Sequence, residues 1–204
     1  MSRHSLRRIQ MRALGAWMLA LTFAASPGFG NRLPDDSQCP RVTRREEWGA
    51  LPPRSKVFTR VVGNVIMHHS QGPNCVTERT CKSVVRTTQL QHVTTKGWDD
   101  IGYNFLVSEN GQVFEGRGWG VEGASAMGLP SRALHVALIG TFSHRAPAEG
   151  ALKTVARLIQ CGIELGKVHP DYKISGHRDV EPTSCPGQKL YDQVRNWARY
   201  VKRP

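Results

Sequence analysis

The sequence predicts an α/β domain in which helices flank a central mixed β-sheet. Two observations point there. Short apolar, β-branched runs recur along the chain, and stretches with apolar spacings of three and four lie between them. Strands interleaved with amphipathic helices bury both kinds of apolar face when helices cover a sheet. The size agrees. With 204 residues, 39% hydrophobic and 22% charged, the chain supplies one core and is neither a disordered tail nor a multi-span membrane protein.

The elements follow in order. Residues 1–12 hold Arg3, Arg7, Arg8 and Arg12 and no acid, and the apolar run Ala13–Ala25 follows, ending in small residues. A basic start, a short apolar core and a small-residue stretch read as a secretory signal peptide over 1–30, cleaved near Ala25 or Gly30. The run is shorter than the roughly 20 residues of a membrane span, so no stable membrane insertion is expected. Residues 31–40 form a short polar leader, and one domain runs over 41–204.

Val61–Met67 (VVGNVIM) reads as a buried strand leading into His68 and His69. Residues 78–95 read as a helix that stops before Gly97. Tyr103–Ser108 and Gln112–Phe114 flank Asn110-Gly111, a hairpin signal. Leu134–Ile139 reads as a second buried strand. Pro147 opens a helix with the stripe Leu152, Val155, Ile159 and Ile163, capped by Gly166. A last helix carries Leu190, Val194, Trp197 and Val201.

Charge and cysteines narrow the class. Lys+Arg 28 against Asp+Glu 16 gives +12, of which four Arg leave with residues 1–30. The balance suits an anionic partner such as a bacterial surface. No basic stripe or nucleic-acid motif is present, so nucleic acid is not expected as a partner. A secreted chain pairs its thiols. Cys75 and Cys81 are near enough to close a short loop, and Cys39 is a candidate partner for Cys161 on its helix. Five cysteines leave one over, for intermolecular pairing, burial or metal binding. His68 at a strand end, with His177 and Cys185 eight residues apart in SGHRDVEPTSCPG, matches the imidazole and thiolate count of a catalytic zinc site. Taken alone, that spacing is equally compatible with packed histidines.

Three segments carry more: VIMHHS, GWDDIGYNFLVSENGQVFEGRGWG and SGHRDVEPTSCPGQKLYDQV. Together they resemble the peptidoglycan recognition proteins, animal relatives of the phage-type zinc amidases, over about Cys39 to Arg199. The resemblance implies a peptidoglycan groove above a mixed sheet. It implies Zn²⁺ held by His68, His177 and Cys185, with Tyr103 orienting or deprotonating the attacking water and Thr183 bonding water or the tetrahedral intermediate. Binding-only members of the family typically lack the cysteine or the first histidine, and this chain keeps both. The implied activity is therefore a secreted N-acetylmuramoyl-L-alanine amidase with an innate immune role, and the alternative is a recognition protein without turnover.

The same resemblance pairs Cys75 with Cys81 and Cys39 with Cys161, and a third pair is missing because Asp99 follows Trp98. Gly97, Trp98 and Arg117 match members that prefer diaminopimelic-type stem peptides, with the Arg117 guanidinium meeting the extra carboxylate. The chain departs from the family at Ser125, where amidases commonly carry a groove histidine. His69 reads as structural or as a support behind the ligands, His92 as a packed core histidine and Arg178 as an ion-pair or structural residue, and His135, His144 and His169 carry no motif.

Overall fold

Six strands form one sheet in the computed structural model of the protein, which describes residues 39–124 and 133–202. The residues read as signal peptide and leader, up to 38, and Ser125 lie outside the described residues. The strands are β1 (Val42–Thr43), β2 (Val62–His69), β3 (Phe105–Val107), β4 (Val113–Glu115), β5 (Ala133–Leu138) and β6 (Val168–Gly176), in the spatial order β1-β4-β3-β5-β2-β6. The β3–β4 hairpin is antiparallel and every other neighbouring pair is parallel. Parallel strands require crossovers, and helices over both faces supply them.

The helices are α1 (Arg45–Trp48), α2 (Glu78–Thr94), α3 (Glu149–Glu164) and α4 (Gln188–Val194). Alternation along each strand splits the core in two. Val65, Met67, Phe105, Val136, Leu138 and Ile174 face one way and pack with Val155, Leu158 and Ile159 of α3 and Leu190 and Val194 of α4. Leu106, Phe114, Ala137 and Ile139 pack on the other face with Trp48 and with Cys81 and Val85 of α2. His68 pairs with Ala137 across β2 and β5, which puts it on this second face.

α2 starts where Thr77 leaves off. The Thr77 hydroxyl accepts the Thr80 N–H at 3.3 Å, and Glu78 pairs with Lys82 one turn on. It ends at Thr94, and Gly97, with a φ of +70°, turns the chain back so that the Trp98 N–H donates to the His92 carbonyl at 3.0 Å. On α3 the buried face is wider than the expected stripe: Val155 and Ile159 are buried as expected, Ala151, Thr154, Leu158, Cys161 and Gly162 join them, and Leu152 and Ile163 sit at the margin. Gly162 allows close packing on this face. A Cβ there would lie 2.7–2.8 Å from Val168 and Trp119, so the bare backbone lets both pack against the helix.

The last helix is shorter than the apolar spacing predicts. It ends at Val194, and Trp197 and Val201 are not on it. The chain instead turns back to β6. The Ile174 N–H donates to the Arg199 carbonyl at 3.0 Å, and the Val201 N–H to the Ile174 carbonyl at 2.9 Å. Satisfying that edge of the sheet overrides the helical periodicity.

Both disulfides implied by the resemblance are formed, Cys39–Cys161 and Cys75–Cys81, and Cys185 is a buried free thiol. Among the described residues, no helix is long and apolar enough to cross a membrane.

Candidate metal centre

The carboxyl end of β2 brings His68 beside the turn that follows β6. His177 opens a 3₁₀ turn, His177–Asp179, and Asp179 locks it. One carboxylate oxygen accepts the Gly176 N–H at 2.8 Å, and the other accepts the hydroxyls of Tyr191 at 2.7 Å and Tyr200 at 3.2 Å. Cys185 follows in a loop tied down at two points. Its own N–H donates to the Thr183 hydroxyl at 3.2 Å, and its carbonyl accepts the Arg178 N–H at 2.9 Å. Gly187 lies so close to Phe142 that a Cβ would come within 2.5 Å of its carbonyl carbon. The Phe142 N–H donates in turn to Nδ1 of His69 at 3.3 Å, which makes His69 the structural residue the sequence suggests.

The three predicted ligand residues converge. Their donor atoms lie within 4.8 Å of one another, the grouping of this kind found among the described residues. Cys185 Sγ is 3.8 Å from His68 Nδ1, and the rings of His68 and His177 lie 4.5 Å apart between centroids, tilted by 50°. One nitrogen of each ring has a side-chain partner: Nε2 of His68 lies 2.9 Å from Nδ1 of His135, and Nε2 of His177 lies 2.5 Å from a Glu181 carboxylate oxygen.

Burial sets the protonation states. It holds His68 well below the ordinary imidazole range, reinforced by the neighbouring His135 and His177. Burial lowers His177 as well, against the opposing pull of Glu181. Both rings are therefore neutral with a lone pair to offer. The Cys185 thiol is pushed up to about 12 by burial, although a backbone hydrogen bond from His69, Arg178 and Lys96 work the other way. A dry site without a cation disfavours the thiolate.

Comparison with known proteins adds one more observation. A model of the N-acetylmuramoyl-L-alanine amidase family matches residues 58–188. The chain belongs to this family. A human N-acetylmuramoyl-L-alanine amidase is 39% identical over 168 residues, which is 80% of this chain and 29% of the human protein. Peptidoglycan-recognition protein 1 of Holotrichia diomphalia is 35% identical over 167 residues, 81% of this chain and 85% of that protein. The solved structure of bumblebee PGRP-SA matches with a TM-score of 0.78 at 34% identity, over 81% of this chain and 100% of that one. Peptidoglycan recognition protein-LE, in complex with tracheal cytotoxin, a monomeric diaminopimelic acid-type peptidoglycan, matches with 0.75 at 30% identity, over 78% and 95% of the two chains. The relatives of this amidase-family member carry both kinds of name, amidase and recognition protein.

Around the ligand residues, Tyr103 packs against His68 at 5.2 Å and His92 at 5.4 Å between ring centroids. Its hydroxyl reaches the His69 carbonyl at 3.4 Å, and burial raises its pKa above the ordinary phenol range, so it keeps its proton. Trp98 leans on His92 with Lys96 Nζ 4.5 Å above its ring. Arg117 is half-buried between two loops, where Nε donates to the Ile101 carbonyl at 2.7 Å and Nη1 to the Glu122 carbonyl at 3.0 Å. Thr183 acts as a turn hydroxyl toward Cys185. His144 and His169 are exposed, and Arg178 braces the loop through Gln188, Ser184 and the Tyr191 ring.

Sequence reasoning missed Glu181 and His135. Glu181 stands four residues after His177 and was readable from that spacing. His135 is a lone polar side chain in the apolar strand LHVALI, and a buried polar group demands a partner.

These buried imidazoles make stability pH-dependent. His69 and His92 are lowered to about 4 and His135 to about 3, burial being the largest cause in each. Folded values below the ordinary 6.5 mean that the unfolded chain binds more protons in acid, so this stability is complete above about pH 6.5 and lost as pH falls toward 4. Urea midpoints of the metal-free protein are expected to fall steadily from pH 7 to pH 5. A flat profile over that range would contradict neutral burial of the three rings.

Proposed function

We propose that this chain is a secreted, zinc-dependent N-acetylmuramoyl-L-alanine amidase of innate immunity. It binds bacterial peptidoglycan and hydrolyses the amide between the lactyl group of muramic acid and L-alanine. On this reading residues 1–30 are a signal peptide and 31–40 a leader. The observation that carries the proposal is the convergence of His68, His177 and a free, buried Cys185 within one coordination sphere's reach.

The donor set fits zinc. Two neutral imidazoles and one thiol are the ligand types and number that leave a catalytic position open. Each imidazole has one nitrogen engaged by a side chain, as metal-binding histidines do. A cation also removes the penalty that burial places on the Cys185 thiolate, because a coordinating thiol is deprotonated outright. Zinc held there supplies Lewis acidity to the scissile carbonyl and acidity to a water.

The chain's own residues do the rest. Water adds its oxygen to the lactyl carbonyl carbon, one of its protons passes to the alanine nitrogen, the C–N bond breaks, and that nitrogen leaves as an amine. In the metal-free site burial keeps Tyr103 protonated, which suits it to donate a hydrogen bond to the oxygen that gains charge or to orient the attacking water. The Thr183 hydroxyl accepts from the Cys185 N–H and has its proton to give to the tetrahedral intermediate. Gly97, Trp98 and Arg117 form the stem-peptide site. Two Arg117 donors fix the guanidinium to backbone carbonyls, and its remaining Nη donors suit the carboxylate of a diaminopimelic residue. The complex of peptidoglycan recognition protein-LE with such a fragment supports that substrate class.

Cys185→Ser is expected to abolish release of stem peptide from purified peptidoglycan, with the fold and wall binding retained, because the groove is built by other residues. Turnover equal to the parent would overturn the zinc assignment, and a parent that binds without turnover would make the chain a recognition protein. Arg117→Ala is expected to cost about 1.5–3 kcal/mol in binding a diaminopimelic muropeptide and little for the lysine form, read by paired titrations. Equal losses on both would remove Arg117 as the discriminator.

A further inference from the structure

His135 is the one polar side chain of β5, and its ring is buried. Register brings it to the site. Ile66 pairs with His135 and His68 with Ala137, so the two histidines share a face, offset by two residues. Their rings stack with centroids 5.1 Å apart and an interplanar angle of 27°, and Nδ1 of His135 meets Nε2 of His68 at 2.9 Å.

The ring is held from other sides as well. Its backbone N–H donates to Asn104 Oδ1 at 2.8 Å, and its carbonyl accepts the Asn104 N–H at 2.9 Å. A Cβ on Gly123 would lie 2.4 Å from its Cδ2, so the loop closes directly on the ring. Asn104 in turn donates from Nδ2 to the carbonyls of Gly118 and Val121. The imidazole is fixed before any ligand arrives.

We propose that His135 is a positioning residue that sets the tautomer of His68. Its Nδ1 accepts a hydrogen bond from His68 Nε2–H and leaves the lone pair on His68 Nδ1 aimed toward Cys185 and His177. This rests on the ligand assignment made above. A neutral imidazole carries one N–H and one lone pair. Two neutral rings joined nitrogen to nitrogen therefore share one proton, with two possible directions. If His135 donated, the His68 proton would sit on Nδ1, the nitrogen 3.8 Å from Cys185 Sγ, and block the ligand position. If His135 accepts, Nδ1 is free to ligate and its basicity rises.

The two ligand histidines are thus supported differently. A carboxylate such as Glu181 in its ionised form accepts only, whereas an imidazole accepts only in one of its tautomers. His135 supports His68 without adding a formal charge to the most buried part of the site.

The test uses the full chain with His135→Ala and His135→Asn, since the asparagine side-chain oxygen falls close to the place of Nδ1 and restores an acceptor. Zinc affinity is read by competition with a chromophoric chelator. His135→Ala is expected to bind zinc about 10–100-fold more weakly, and His135→Asn within a few-fold of the parent. Long-range ¹H–¹⁵N spectra of the zinc-loaded parent are expected to place the His68 proton on Nε2. That readout does not depend on the alanine variant folding. Parent-like affinity in His135→Ala, an equal loss in both variants, or a His68 proton on Nδ1 overturns this role alone. A parent that takes up no zinc overturns the ligand assignment with it.

Discussion

A neutral imidazole or a thiol buried without a partner is costly, and this domain buries several at the carboxyl end of one strand. β2 lies between β5 and β6, both parallel to it, so its backbone groups are consumed by the sheet and both faces are covered. The open place for chemistry is the strand end, where ligand sites of parallel sheets commonly lie. His68 stands there, and every neighbour that makes its burial tolerable arrives from a different part of the chain: His135 from β5, Tyr103 from the approach to β3, and His177 and Cys185 from the segment after β6.

That segment is irregular, so its precision comes from bracing. Asp179 gathers the Gly176 N–H and two tyrosine hydroxyls. Gly187 fits against Phe142 because it lacks a side chain, and His69 anchors Phe142 from β2. Adjacent residues of one strand therefore do two jobs. His68 faces the site, and His69, on the opposite side of the pleat, holds the loop that presents Cys185. The C-terminal return to β6 serves the same end, because Tyr200 reaches Asp179 only when the chain leaves the helix early.

Much of this was legible in the sequence. VVGNVIM, LHVALI and the Asn-Gly hairpin are strong local signals, and the motifs around His68, Tyr103, His177 and Cys185 lie in long ordered segments that tolerate few other readings. What was not legible depends on packing between distant residues. The extra width of the buried face of α3 depends on Trp119 and Val168 against Gly162. The end of α4 needs an open sheet edge at Ile174. His135 has no motif because its role comes from strand register, which periodicity does not reveal. The double bonding of Arg117 to Ile101 and Glu122 likewise joins two loops that only the fold brings together.

The central claim is that three side chains of this chain form one metal-binding set. X-ray absorption at the zinc edge of the loaded protein tests it most directly. The expected inner shell contains one sulfur at about 2.3 Å and two imidazole nitrogens at about 2.0–2.1 Å. A shell of nitrogen and oxygen alone, with no sulfur, would contradict it.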